Sequence, residues 1–540
     1  MTGFEHALIL VLLLTALSIV GRWLPWPMPV THVVGAGAAA FWLGFPRVAL
    51  DPEFFFLCFV PPLLFSDGWL MPLRDFLAAK RSIITLAVGL VIFTTVCVGL
   101  VAHWLVPALP LAMAFALGAV ISPTDAVAVG AITSRLKVPA RLTAVLNGES
   151  LMNDATGLVA FKFALAALAV GTFSVRAAAV DFVVLAAGGA AVGHGLGYLV
   201  GKIRDLLRHA RSSDTFIEVT LSLMTPYAAY LLGEALHLSS ILAVVAAGLY
   251  SGWRDPLRMD VAARQANWAV WAMVLFWLNG MAFVLLGLQF PTLFARVSES
   301  YSTLQILGFT AVIAGTAILT RLAWVFASAY LPFRLFPRLR GQEKPPSRAV
   351  VLVTGWAGMR GAITLAAALS IPELTDDGRP FPARDLVIFL SLGVILVTLL
   401  LQGTTLEWLI CRLGLRADAS RLREDRLARI TAVKSGLESL RQPGTDPATS
   451  EERTMRGLIV AEYEHRLLEL TAEGETQAIA QRHRVAGRRH RLRALQAERT
   501  AIDDLWQRDV ITDETHRPLQ QLLDHEESLL RAQPGGPPPA

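Results

Sequence analysis

Apolar residues run along this chain in long stretches parted by short clusters of charge, as far as about residue 411. Beyond that point apolar and charged positions interleave. A helix crossing the hydrocarbon core of a bilayer needs about 20 mainly apolar residues. Thirteen stretches approach that pattern, near 5–22, 29–45, 53–70, 82–105, 111–133, 142–170, 178–201, 215–232, 238–252, 268–289, 303–331, 348–370 and 385–410. The pattern predicts an all-α polytopic membrane domain over residues 1–411. A charged helical tail over 412–532 and a disordered end over 533–540, closing PGGPPPA, follow it. Ala7 to Val20 is apolar, but Glu5 and His6 precede it where a signal peptide carries positive charge, so a retained helix is expected.

Charge orients these stretches. Taking alternate loops as one side, nineteen Lys and Arg fall there, from Arg22 and Arg74 through Lys202, Arg204 and Arg258 to Arg348, against five on the other side. Lys and Arg accumulate in cytoplasmic loops. The N-terminus is therefore expected outside and the tail in the cytoplasm of a cell-membrane protein.

Composition agrees. Of 540 residues, 54% are hydrophobic and 17% charged, against about 25% charged in ordinary soluble proteins. The net charge of +5 reads as loop charge against an anionic leaflet, not as a nucleic-acid footprint. Cys58, Cys97 and Cys411 have no paired spacing, so neither a disulfide framework nor a zinc site is indicated.

Polar residues inside apolar spans are costly and mark function. The fifth stretch contains ALGAVISPTDAVAVGAI. Pro123 lacks a backbone N–H and clashes with the preceding turn, and Ser122, Thr124 and Asp125 flank it with oxygen atoms. A broken helix at membrane depth is tolerated where it lines a cavity, and its half-helix ends and freed carbonyls then suit ions. The sixth stretch contains LNGESLMNDATGLVAF. Glu149 and Asn153 are four apart, as are Ser150 and Asp154, which gives two adjacent polar stripes on one helix. Two basic residues can answer these acids, Arg321 within ILTRLAWVFASAY and Arg360 within VTGWAGMRGAITLAAAL. Gly355, Gly358 and Gly361 around Arg360 suggest a second interrupted or closely packed helix. The fifth and twelfth stretches stand in corresponding positions of two halves, as inverted repeats would place them.

At these residues the chain resembles the monovalent cation/proton antiporter-1 family, the NhaP-like and NHE-like Na⁺/H⁺ exchangers. SPTDAVAV, GESLMNDATGLVAF and GMRGAITLAAAL carry the resemblance, together with FVPPLLFSDG in the third stretch. It implies a thirteen-helix inverted-repeat fold with a dimerisation domain, hence a homodimer, and a mobile core. It implies that Asp154 of the Asn153–Asp154 pair carries the ion, that Thr124, Asp125 and Ser150 line its site, that Arg321 holds Glu149 in a salt bridge, and that Arg360 faces the half-helix ends. The family often has an acid directly after PPLLF. Here Ser66 stands there and Asp67 follows, about 100° further round the helix, which leaves open whether Asp67 reaches the ion.

The expected function is exchange of Na⁺ or Li⁺ for H⁺, with hard oxygen ligands suiting small hard cations. One carboxylate takes either a proton or a cation. With Glu149 neutralised, a single titrating aspartate predicts electroneutral exchange. K⁺/H⁺ exchange by the same device is the near alternative. An intramembrane aspartyl hydrolase using Asp125 and Asp154 lacks its GxGD context, and a channel needs no titrating site. No Walker A motif is present, and neither an enzyme activity nor a cofactor is expected. Lys162 has no assigned role. His32 and His194 are expected to be hydrogen-bonded packing residues. In the tail, Tyr463, Leu467 and Leu470 form one apolar stripe and Leu519, Leu522 and Leu529 another, with a linker over Gln442–Ser450. The basic stretch from Arg482 reads as a solvated helical face, and five scattered histidines give little support to a pH sensor.

Overall fold

The computed structural model describes residues 3–24, 26–42, 52–136, 138–170, 175–210, 214–335, 345–373, 381–415, 419–442, 450–472 and 474–532. The expected disordered end and most of the tail linker lie outside the described residues. Helices occupy the place of every one of the thirteen apolar stretches. They are α1 (Gly3–Gly21), α2 (Met28–Trp42), α3 (Pro52–Leu70), α4 (Leu73–Leu105), α5 (Leu111–Ile121), α6 (Ala126–Leu136), α7 (Ala140–Val170) and α8 (Val175–His209). Then follow α9 (Thr215–Ala235), α10 (Ser240–Arg258), α11 (Val261–Ser298), α12 (Thr303–Leu335), α13 (Arg348–Trp356), α14 (Ala362–Leu369) and α15 (Arg384–Arg412). Among the described residues there is no strand, and seven helices are long and apolar enough to cross a membrane by length and composition. The chain divides into two compact units, Met1–Ala417 and Asp418–Ala540.

The surface of the first unit explains its solvent. Phe41, Trp104, Leu304 and Leu307 point outward with most of their area exposed. An apolar exterior of this kind is untenable in water and natural in hydrocarbon. Between helices in lipid there is no hydrophobic drive, so small residues that admit close backbone approach take over. Helix α10 lies against α3 in this way: a Cβ on Gly248 would press on the Phe65 carbonyl, and one on Gly68 would press on the Val245 carbonyl at 2.9 Å.

Helix α4 contains a π-helical segment, Thr85–Leu90. Widening the turn disturbs the regular ladder, and the indole Nε1 of Trp324 on α12 donates to the Thr85 carbonyl at 3.1 Å.

Arg204 corrects the reading of it as loop charge. Helix α8 runs on to His209, and Arg204 lies buried within it, against Glu218 of α9 (Nε–Oε2, 3.0 Å) and Asp255 of α10. Hydropathy windows end where charge begins, whereas the helix continues because its charges find partners on neighbouring helices. Glu218 and Asp255, both buried, were not singled out in the sequence. His32 is buried and bonded to Ser18 Oγ at 3.0 Å, as expected. His194 differs: it is exposed, with its ring edge-on to Tyr250. Lys162 is exposed.

The second unit holds α16 (Ala419–Arg441), α17 (Ser450–Thr471), α18 (Gly474–Gln507) and α19 (Asp513–Ala532). Tyr463, Leu467 and Leu470 are half-buried, and Arg426 of α16 donates to the Leu470 carbonyl at 2.8 Å. The other expected stripe is displaced. Leu519, Leu522 and Leu529 are exposed, and it is Leu523 and Leu530 that pack with Leu495 of α18. Leu522 and Leu529 each precede a second leucine, so periodicity left the inward member undecided; buried His516, seven residues before Leu523, marks the inward row.

Candidate functional site

Helix α5, buried from Ala116 onward, ends at Ile121, and the chain runs non-helically through Pro123 to Asp125 before α6 starts at Ala126. Pro123 offers no N–H to continue the ladder. One residue of this gap, Thr124, is held by three side chains of α7. Ser150 Oγ donates to its carbonyl at 2.7 Å, Asn153 Nδ2 donates to its Oγ1 at 2.9 Å, and that hydroxyl lies 3.4 Å from Glu149 Oε1. The two polar stripes on α7 are thus what pins the break open.

The second interruption is as expected around Gly358 and Gly361. Helix α13 ends at Trp356 and α14 begins at Ala362. The two gaps interlock, with Asp125 N donating to the Met359 carbonyl at 2.8 Å. Carbonyls at helix C-termini carry partial negative charge and N-termini the opposite. Arg360 Nε donates to the Ile121 carbonyl at the end of α5 (3.0 Å), and its Nη1 to the Gly358 carbonyl just past α13. Asp125 lies at the start of α14, so close that a Cβ on Gly361 would overlap its carboxylate. Arginine thus faces C-terminal ends and aspartate an N-terminal end.

Glu149 and Arg321 sit behind this crossing, 0% and 1% exposed. Both guanidinium arms reach the carboxylate, Nη2 to Oε2 at 3.0 Å, and Nη2 also donates to the Thr354 and Ala357 carbonyls at 3.0 Å. This forked geometry suits arginine and not lysine.

In front lies a small cavity. Asp67 and Leu63 of α3, Thr124 and Asp125 of the first gap, and Ser150 and Asp154 of α7 line it, with Asn279 of α11 and Thr364 of α14. Five predicted site residues therefore meet there: Asp154, Asp125, Thr124, Ser150 and Asp67. Asn153, Glu149, Arg321 and Arg360 support it from outside. Asp67 reaches the cavity because α3 stays helical through Pro61 and Pro62, which sets Asp67 four residues after Leu63 on one face. Ser66 turns instead to its own Leu63 carbonyl at 2.7 Å.

Asp154 is 3% exposed, and among the described residues no basic side chain pairs with it; the charges nearest in effect are Asp67 and Asp125. Among the described residues no hydrogen-bond partner reaches buried Asn153 Oδ1. Among the described residues no three His, Cys, Asp or Glu side chains converge to cage a metal. The donors are hard oxygens spread round a cavity, which suits a monovalent cation held briefly with part of its water. Asn279 and Thr364 escaped the sequence reading. A lone amide within the apolar run WLNGMAFVLL was the available signal for the first.

The profile describing the transmembrane sodium/hydrogen exchangers matches residues 8–412. Over 532 residues the chain is 35% identical to the sodium, potassium, lithium and rubidium/H⁺ antiporter of Bacillus subtilis (strain 168), an alignment covering 97% of this chain and 78% of that one. It is 35% identical over 547 residues to the uncharacterized Na⁺/H⁺ exchanger YjcE of Escherichia coli (strain K12), covering 98% of each. Its fold resembles that of the sodium proton antiporter MjNhaP1 from Methanocaldococcus jannaschii, with a TM-score of 0.58 at 20% identity over 76% of this chain and 98% of that one.

Proposed function

This chain belongs to the transmembrane sodium/hydrogen exchanger family, a family of antiporters and not of enzymes, and we propose that its exchange of Na⁺ for H⁺ runs through Asp154. One observation carries the reading: of the two carboxylates on α7, Glu149 is bound by Arg321, while Asp154 faces the cavity with no basic partner among the described residues. A carboxylate so placed accepts a proton or a cation, and the two compete. Thr124, Asp125, Ser150 and Asn153 provide or position neighbouring oxygens. Glu149 and Arg321 cancel each other, so one loaded aspartate exchanges ion for ion without net charge.

The relatives named for sodium, potassium, lithium and rubidium support a second reading of the same machine, in which K⁺ is also carried. The remaining assignments complete the reading. Thirteen membrane crossings in two inverted repeats lie in the cell membrane, with the N-terminus outside. The charged tail is in the cytoplasm, and two copies form a homodimer.

The test is cation-triggered proton movement, read by a pH dye in proteoliposomes, for the parent and Asp154→Asn. Loss in the variant alone supports the reading. Equal exchange in both removes Asp154 from the role and leaves Asp125 or Asp67. No response of the parent to Na⁺, Li⁺ or K⁺ at any pH overturns exchange itself.

A further inference from the structure

Five oxygen-bearing side chains from α3, α7 and the first gap surround the cavity, and three of them are carboxylates. Helix α11 contributes Asn279 to the lining, and its neighbours along the helix, Leu278, Met281, Ala282 and Phe283, are apolar. Asn279 is the polar residue in this apolar run. Its Nδ2 donates to the Leu275 carbonyl one turn back, at 3.0 Å. That bond takes up an amide hydrogen and fixes the side chain against its own helix. Among the described residues the amide oxygen makes no such bond, and the residue lines the cavity.

We propose that Asn279 is a specificity-determining ligand for the transported cation, supplying through Oδ1 a neutral oxygen from the wall that carries no charge. The inference rests on exchange at Asp154. An amide carbonyl is a hard, dipolar oxygen that replaces a water on Na⁺, Li⁺ or K⁺. A proton on Asp154 needs no such ligand, because its bond to the carboxylate is already complete. Asn279 therefore favours the cation-loaded site over the proton-loaded one. Its fixed reach favours cations of one radius over another, since selectivity follows cavity size and ligand number.

The prediction separates affinity from turnover. Asn279→Leu removes the oxygen at similar volume and is expected to raise the apparent KM for Na⁺ about tenfold. The maximal rate stays within twofold, and so does the pH dependence at saturating Na⁺. Asn279→Ser retains a shorter oxygen and falls between. Asn279→Gln extends the reach and is expected to change the ratio of Na⁺ to K⁺ KM values, which a packing role leaves fixed. Initial rates in proteoliposomes with Na⁺, Li⁺ and K⁺ read all three. If Asn279→Leu gives no measurable exchange, the Na⁺-dependent rise in melting temperature of the purified protein substitutes. A rise weaker than the parent's supports the inference, and an undiminished one overturns it. Unchanged KM values for all three cations in an active Asn279→Leu variant also overturn it. Absent exchange in the parent refutes instead the reading on which it rests.

Discussion

Glu149 and Arg321, 172 positions apart in the chain, are joined through both arms of the guanidinium at 0% and 1% exposure. Two charges in a low-dielectric interior are tolerable only together. Removing one leaves the other uncompensated, at a typical expense of about 3–5 kcal/mol, while replacing both with apolar groups is far milder. Glu149→Leu and Arg321→Leu are each expected to lower the melting temperature of the detergent-solubilised protein by many degrees. The double variant should recover much of the loss. Additive losses in the double variant would show that the two side chains act independently.

Asp67 and Asp154 line one cavity but stand on different helices, and only Asp154 adjoins the side chains that pin Thr124. Asp67→Asn is expected to raise the apparent KM for Na⁺ severalfold, because a negative charge near the cation is lost, while exchange persists. Initial-rate measurements across Na⁺ concentration check this. Complete loss, matching Asp154→Asn, would make Asp67 an equal carrier.

Gly361 tests the crossing itself. Its backbone is extended, at φ −134°, so alanine meets no conformational barrier there, only the Asp125 carboxylate. Gly361→Ala is expected to cut exchange more than about tenfold by displacing Asp125, since an ångström of misplacement costs about that much or more at a functional centre. Gly315→Ala, where an added Cβ meets open space, is the control and should exchange at the parent's rate. Equal rates for both variants would mean that the crossing tolerates the shift.

In the tail, Asp503 accepts hydrogen bonds from His516 Nε2 at 2.8 Å and Gln520 Nε2 at 2.9 Å. The bond from His516, foremost, holds its carboxyl below the usual carboxylate range. A group whose pKa is depressed by folding stabilises the fold above its unfolded value, near 3.9. That contribution disappears as pH falls through the folded value. Hydrogen exchange of peptides from 513–532 in the full-length protein should therefore show more protection in the parent than in Asp503→Asn at pH 7 and pH 5. The difference should narrow as pH falls below about 3.9. A difference that widens on acidification would reverse the assignment.

The helices were legible wherever composition alone decides. Each apolar stretch overlies a helix, and the break at Pro123 follows from a missing N–H. The glycines around Arg360 likewise marked the second gap. What the sequence withheld depends on neighbours. Arg204 looked like loop charge until Glu218 and Asp255 appeared beside it. Asp67 was undecided until α3 proved continuous past its prolines. Leu523 and Leu530 differ from Leu522 and Leu529 only in which way they turn. Asn279 carries no motif, and its place on the cavity wall comes from the packing of a helix far along the chain.

Arg360 and Asp125 answer half-helix ends from within the protein, so the crossing needs no passenger to be electrically closed. Glu149 and Arg321 cancel in the same manner. On the proposed exchange through Asp154, what varies over a transport cycle is then one unit there: zero with Na⁺ or a proton aboard, minus one when empty. Moving an elementary charge through 100 mV is worth about 2.3 kcal/mol, and burying it bare is harder still. On the proposed mechanism Asp154 is neutral on both loaded journeys and bare on the empty one. The cost of burying the bare carboxylate is thereby what opposes slippage and holds the two ion flows in step.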